Sequence, residues 1–257
     1  MQQDNSHGYV RTEQQKGIAT IEFFHPQSNS LPGKILNELT SAITQAGKDS
    51  GTYVIILRSG GEKIFCAGAS FDELTAIKNE EEGLRFFSGF ANVINAMRTC
   101  PKFIVGRIHG KCVGGGVGLV AAVDYAVATE NAEIKLSELA MGIGPFVVGP
   151  AVERKIGVSA FSQLAIDATE WRDAQWGGRK GLFAEVHADV KGMDESINKL
   201  VNKLVSSSPE AMAEMKKIFW KGAEHWDKLL MERAAISGRL VLSEFTRSAI
   251  EKFKKKN

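Results

Sequence analysis

Three cysteines in 257 residues, Cys66, Cys100 and Cys112, are too few and too irregularly spaced for a disulfide framework or a CxxC metal site. Free thiols fit a reducing compartment, and the cytoplasm is the expected location. No run of about 18 apolar residues occurs, so no membrane-spanning helix is expected. The opening MQQDNSHGYV lacks the charged-then-apolar pattern of an export signal. Surplus charge is missing as well: 32 Lys and Arg stand against 30 Asp and Glu, a formal +2. A nucleic-acid binder concentrates basic residues on one face, and this chain does not, so neither a nucleic acid nor a membrane is expected as partner. What the chain does have is 44% hydrophobic residues, enough to bury one large core or two small ones.

Two segments, GIATIEFF at 17–24 and YVIILR at 53–58, are rich in β-branched and aromatic residues and read as strands. Between them Ile35, Leu36, Leu39, Ile43 and Ala46 recur at helical spacing. Strand, helix and strand in this order make a βαβ unit with a right-handed crossover. FIVGRIHG at 103–110 and DYAVAT at 124–129 are two further strand candidates. From Met193 onward SINKLVNKLVSS, PEAMAEMKKIFWKGAEHWDKLLMERAAISGRLVLS and TRSAIEKFKKK read as amphipathic helices. The expected organisation is an α/β core over residues 1–192 and a helical region over 193–257.

The segment CVGGGVGLVAAV places Gly114, Gly115, Gly116 and Gly118 at the start of an apolar helix. Glycine there costs about 1 kcal/mol relative to alanine at each position, so the cluster calls for a reason. A strand ending at Gly110 and a helix opening at Gly114–Gly118 would aim free backbone N–H groups into a cleft, where they stabilise an anion. The anion is either a phosphate or the oxyanion of an enolised or attacked carbonyl. The cluster has neither the G-x-x-x-x-G-K-[ST] nor the G-x-G-x-x-G spacing, which favours the oxyanion; tight helix–strand packing explains the glycines about equally well. FCAGASFDEL at 65–74 follows a strand and a Gly60–Gly61 turn. Its small residues admit a ligand close to the backbone, or Ser70 or Asp72 simply caps the next helix.

FCAGASFDEL, HGKCVGGGVGLVAAVDYAVATENAEIKLSELAMGIGPFVVGP and ATEWRDAQWGGRKGLFAEVH, in this order, resemble the crotonase family, the enoyl-CoA hydratase/isomerase group. The resemblance runs from HPQSNSL at 25–31 to the helical tail. It implies a core of stacked ββα turns rather than a doubly wound sheet, with C-terminal helices that build homotrimers, often paired into hexamers. It also implies an acyl-CoA thioester as substrate, with no metal and no cofactor beyond the CoA that the substrate carries. The two oxyanion-hole N–H groups would come from Ala69 and Gly115. Cys66, Ala67 and Ser70 would lie against CoA, Ser70 standing where the family usually has aspartate. From the C-terminal helix, Lys254 or Lys252 would approach the CoA phosphates of a neighbouring subunit.

Hydratases of this family carry two glutamates. Here the first of those positions is Gly118 and the second is Glu138. Hydration uses one group to activate water and a second to orient it, whereas migration of a double bond from the 3- to the 2-position of an enoyl-CoA needs one carboxylate. The resemblance therefore favours an isomerase with Glu138 as acid/base; hydratase, thioester hydrolysis and CoA binding without turnover are the rivals. An apolar lining from Met141, Ile143, Phe146 and Val147 would raise the Glu138 pKa by desolvation. The remaining polar residues carry blander expectations. Asp72, Glu73 and Glu80–Glu82 are read as a solvated face, Asp124 as a structural acceptor, His109 as a structural histidine, and Trp220, Trp226, Phe219 and Leu229 as core or subunit contacts. FVVGP at 146–150 stands where many members have a Gly-Gly pair, which implies a differently shaped acyl pocket.

Overall fold

The computed structural model describes residues 8–254, the last two as backbone only. In chain order the strands are β1 (Tyr9–Gln15), β2 (Ile18–Phe24), β3 (Ser30–Leu31), β4 (Val54–Ser59), β5 (Ile64–Cys66), β6 (Gly68–Ala69), β7 (Phe103–Ile108), β8 (Lys111–Val113), β9 (Tyr125–Thr129), β10 (Glu133–Lys135), β11 (Arg172–Asp173) and β12 (Glu185–His187). The helices are α1 (Gly33–Lys48), α2 (Phe71–Ala76), α3 (Glu80–Thr99), α4 (Gly115–Ala122), α5 (Gly149–Ile166), α6 (Ala174–Lys180), α7 (Val190–Val205), α8 (Pro209–Phe219), α9 (Trp226–Leu240) and α10 (Glu244–Lys254).

A six-stranded sheet runs β1-β2-β4-β7-β9-β12, parallel except for the β1–β2 hairpin. A smaller sheet runs β11-β10-β8-β5, and β3 pairs with β6. The chain therefore climbs in repeated turns: β4, β5 and α3; then β7, β8 and α4; then β9, β10 and α5. Each turn gives one strand to the large sheet, one to the small sheet, and a helix. This is the stacked ββα arrangement, and its consequence is that each strand-to-helix junction opens at the same side of the molecule.

Side-chain alternation explains why the large sheet is buried on both faces. Ile55, Leu57, Ile104, Ala126 and Ala128 join the main core, while Val54, Ile56, Val105 and Val127 pack on Met193, Ile197 and Val201 of α7. Apolar runs such as VIIL in β4 are the sequence record of that double burial. Beyond α7, α9 packs along α3, and Trp220 and Trp226 meet edge to face at 5.6 Å, both buried. Phe219 stays 47% exposed and stacks on Phe103.

Candidate active site

Two loops meet beside the start of α4. In the first, β5 leads through Gly68, at φ +89°, into β6. A Cβ at Gly68 would lie 3.0 Å from the Val113 carbonyl and 3.4 Å from the Gly115 nitrogen, so only glycine lets the loop settle on the β8–α4 junction. The next N–H but one, that of Ser70, donates to the Leu31 carbonyl at 3.1 Å. Successive N–H groups of a strand point to opposite edges, which turns the Ala69 N–H away from β3. Ser70 then caps α2, its hydroxyl accepting from the Glu73 N–H.

In the second loop the chain turns at Gly114, with φ +51° and ψ −114°, its N–H held by the Lys135 carbonyl at 2.9 Å. Helix α4 starts immediately after; the Val117 and Gly118 N–H groups donate to the Gly114 carbonyl at 2.9 and 3.2 Å, which leaves those of Gly115 and Gly116 without an intrahelical acceptor. The neighbouring glycines are fixed by close approach: the Phe90 ring lies on Gly115, the Cys66 carbonyl on Gly116 and Val148 on Gly118. Close packing and a helix start with free N–H groups are therefore both present in one segment.

Glu138 closes the site from a third element. After β10 the chain makes a 3-10 turn over Leu139–Met141, and the Glu138 carbonyl accepts from the Met141 and Ile143 N–H groups at 3.1 and 3.0 Å. This turn aims the carboxyl at Gly114, where a Cβ would lie 3.0 Å from Oε1. The residue as a whole is partly exposed, yet Oε2 is buried and has no hydrogen-bond partner among the described residues. Desolvation of the carboxyl raises its pKa to about 7. Of the residues expected to line it, Ile143 and Val147 are buried, and Met141 and Phe146 are partly buried.

A Cβ at Gly118 would lie 2.4 Å from Val148 Cγ1 and 2.8 Å from its Cβ. The space in which a side chain at 118 would start is already taken by a stiff, β-branched residue. Val148 belongs to the FVVGP segment, so the sequence feature and the vacancy at 118 are one packing arrangement.

A cavity of about 540 Å³ opens next to this centre, lined among others by His25, Gln27, Lys34, Ser70, Asp72 and Glu73. Its size suits a cofactor-length ligand. Glu138, Ala69 and Gly115 are not among the lining residues, so the cavity is separate from the contact between Glu138 and Gly114. The two carboxylates of the cavity wall are engaged: Glu73 accepts from the Gly33 N–H at 2.8 Å, and Asp72 from Gln27 at 3.0 Å. Burial lowers the His25 pKa, with Asp72 and Glu73 acting in the opposite sense. His25 and Lys34 were not singled out from the sequence; the signal for Lys34 is its place in the first turn of α1, facing FCAGAS across β3–β6.

The other candidates fall as follows. Ala67 is partly exposed, between β5 and β6. Cys66 is fully buried, its sulfur accepting from the Gly68 N–H at 3.4 Å, and burial pushes the thiol up to about 12; its carbonyl and Cβ lie against Gly116. His109 is buried with Nε2 unpartnered, and desolvation together with the Arg107 charge lowers it to about 4, so it is neutral at pH 7. Asp124 accepts from the Ile104 N–H and from Lys216, both at 2.8 Å. Lys252 is exposed. The side chain of Lys254 lies outside the described residues.

Residues 13–252 match the family model described as enoyl-CoA hydratase/isomerase. A probable enoyl-CoA hydratase of Bacillus subtilis is 27% identical over 241 residues, covering 93% of each chain. A (7aS)-7a-methyl-1,5-dioxo-2,3,5,6,7,7a-hexahydro-1H-indene-carboxyl-CoA hydrolase of Rhodococcus jostii is 33% identical over 135 residues, 52% of each chain. The crystal structure of an enoyl-CoA hydratase from Bacillus halodurans superposes with a TM-score of 0.88 at 22% identity, covering 95% of this chain and 99% of that one. With a family match over nearly its whole length and the crotonase fold, the chain belongs to the enoyl-CoA hydratase/isomerase family and is an acyl-CoA enzyme.

Proposed function

We propose that the enzyme moves the double bond of a 3-enoyl-CoA to the 2-position, with Glu138 as the single acid/base. The observation that carries this reading is the Glu138 carboxyl, buried at Oε2 without a partner and raised to about 7, against the first turn of α4. A carboxyl titrating near neutrality takes and returns a proton with little driving-force penalty either way. In its ionised form it removes a proton from C2 of the substrate. Electrons shift from that C–H bond through C2 and C1 onto the thioester oxygen, and the dienolate oxygen is held by the Ala69 and Gly115 N–H groups. The protonated Glu138 then delivers the same proton to C4, the oxygen's electrons return, and the 2-enoyl thioester is released. No water is consumed.

Ala67, Ser70 and the Cys66 backbone would hold the CoA portion along the 540 Å³ cavity, with Lys254 of a neighbouring subunit reaching its phosphates. A homotrimer or hexamer built through the helices after 193, working in the cytoplasm, belongs to the same reading. Exposed apolar side chains at Leu139 and Phe245 support such an assembly.

Hydration is the second reading, supported by the name of the Bacillus subtilis relative. It calls for a second carboxylate, and Val148 occupies the space beside Gly118. Purified enzyme offered 3-hexenoyl-CoA and crotonyl-CoA side by side decides the matter. Conversion of the first with crotonyl-CoA left unhydrated, and loss of turnover in Glu138→Gln, is expected. Hydration of crotonyl-CoA would overturn the isomerase.

A further inference from the structure

A second cavity, of about 280 Å³, is lined by Val123, Asp124, Arg154, Lys155, Phe219 and Trp220. Val123 and Asp124 follow the last residue of α4, so the cavity lies at the opposite end of that helix from Gly115, about 12 Å along its axis. Its charges do not balance. Asp124 supplies the one carboxylate of the lining, and Oδ2 is already committed to the Ile104 N–H and to the ammonium of Lys216, which is 2% exposed.

Two cations remain. Lys155 Nζ donates to the carbonyls of Val123 and Asp124 at 3.0 and 3.2 Å, neutral groups at the C-terminal end of α4. Arg154 lays its guanidinium over the Trp220 ring at 4.0 Å and makes no hydrogen bond or ion pair among the described residues. Three cations thus surround one carboxylate. Desolvation brings Lys155 down to about 8 and lowers Arg154 as well, although Arg154 as a whole residue is exposed, with Asp124 offsetting part of the effect in both. Carbonyl dipoles and an aromatic face stabilise a cation less than an anion does.

The geometry points to a binding site for a small oxyanion, a carboxylate or phosphate group, gripped by Arg154 and Lys155. Arg154 presents a planar fork of donors fixed in orientation by Trp220, the form suited to a two-oxygen acceptor. Lys155 adds a donor on a flexible stem. Phe219, half exposed at the rim, offers an apolar surface to whatever the anion is attached to. The acyl-CoA site shares none of these lining residues.

Inorganic phosphate is the probe, titrated against chloride at matched ionic strength, with lysine Cε signals read by NMR and Lys155 assigned through Lys155→Met. A saturable shift of the Lys155 signal and a rise in its titration midpoint are expected, with affinity at least tenfold weaker in Arg154→Met. Arg154→Gln, closer in polarity, repeats the comparison should the Met variant fold poorly. A Lys155 signal indifferent to phosphate in the unsubstituted enzyme would overturn the site. So would an equal response in a folded Arg154 variant, or a response confined to Lys34 in the first cavity, which would place the anion at the CoA cleft.

Discussion

Glu138 and Gly114 touch across the β8–α4 junction: a methyl carbon on Gly114 would lie 3.0 Å from Glu138 Oε1, at a backbone with φ +51° and ψ −114°. The same glycine thus fixes the entry to α4 and leaves room for the carboxyl. Gly114→Ala is expected to fail twice, by straining the backbone and by displacing the Glu138 carboxyl from the start of α4. Steady-state kinetics should show kcat reduced by about tenfold or more, and thermal melting a loss of about 1–3 kcal/mol. A variant with kcat unchanged would separate the turn from the chemistry.

The position of Glu138 also sets a pH signature. Its folded-state pKa, about 7, lies above the ordinary value of 4.5. The ionised form is the base, so kcat/KM should rise as pH increases through about 7, and Glu138→Gln should lose about 10²–10⁴-fold of it and flatten the profile. Stability runs the other way. A raised carboxyl pKa gives a contribution present in full below about pH 4.5, and lost as pH rises through about 7. Glu138→Gln should therefore gain on the unsubstituted enzyme between pH 5 and pH 8, by about 2–3 kcal/mol. Urea unfolding of both proteins at the two pH values measures it; a difference independent of pH would mean that the carboxyl is not desolvated.

Strands β2, β4, β7 and β9 were legible in the sequence because burial on both faces fills them with aliphatic, β-branched and aromatic residues, with Glu22, Arg58 and Arg107 the charged exceptions. The helical spacing of Ile35, Leu36, Leu39 and Ile43 was legible for the opposite reason, because only one face of α1 is buried. β1 was not, since TEQQ at its end is exposed and pairs only at the hairpin edge. The small sheet escaped too, its strands being two or three residues long, too short for any alternation to register. Family resemblance, not periodicity, drew attention to Glu138: a glutamate in a turn looks exposed until Gly114 is folded onto it. Val148 over Gly118 and the depth of Lys216 are contacts between distant segments, which spacing along one chain does not encode.

Gly118 and Val148 form a pair that should behave non-additively. Adding one methyl at Gly118 brings it to 2.4 Å from Val148 Cγ1, an overpacking expected to cost about 1–3 kcal/mol. Val148→Ala alone leaves a small gap, costing on the order of 1 kcal/mol. Gly118→Ala combined with Val148→Ala should be more stable than the sum of the two predicts, because the new methyl enters the space vacated. Denaturant midpoints of the four proteins give the coupling directly. Additivity would show that α4 shifts to accommodate the methyl without help from Val148.

The Lys216–Asp124 pair carries the heaviest expected cost. Lys216 reaches from α8 to the start of β7, where its ammonium binds the Lys102 carbonyl and Asp124 Oδ2, both at 2.8 Å, with side chains 2% and 7% exposed. Asp124 in turn holds the Ile104 N–H, so one ion pair ties the C-terminal helices to the large sheet. Removing the cation alone strands a buried carboxylate, and Lys216→Met should lose about 3–5 kcal/mol. Adding Asp124→Asn removes the stranded charge while an amide oxygen still accepts from Ile104, so the double variant should recover most of the loss. Because neither residue approaches Glu138, kcat at a temperature where Lys216→Met remains folded should stay within about twofold of the parent, a kinetic change small beside the stability loss. Chemical denaturation of the three variants reads the energetics; a Lys216→Met loss below about 1 kcal/mol, the size of an exposed pair, would mean that the helices are held by their apolar contacts alone.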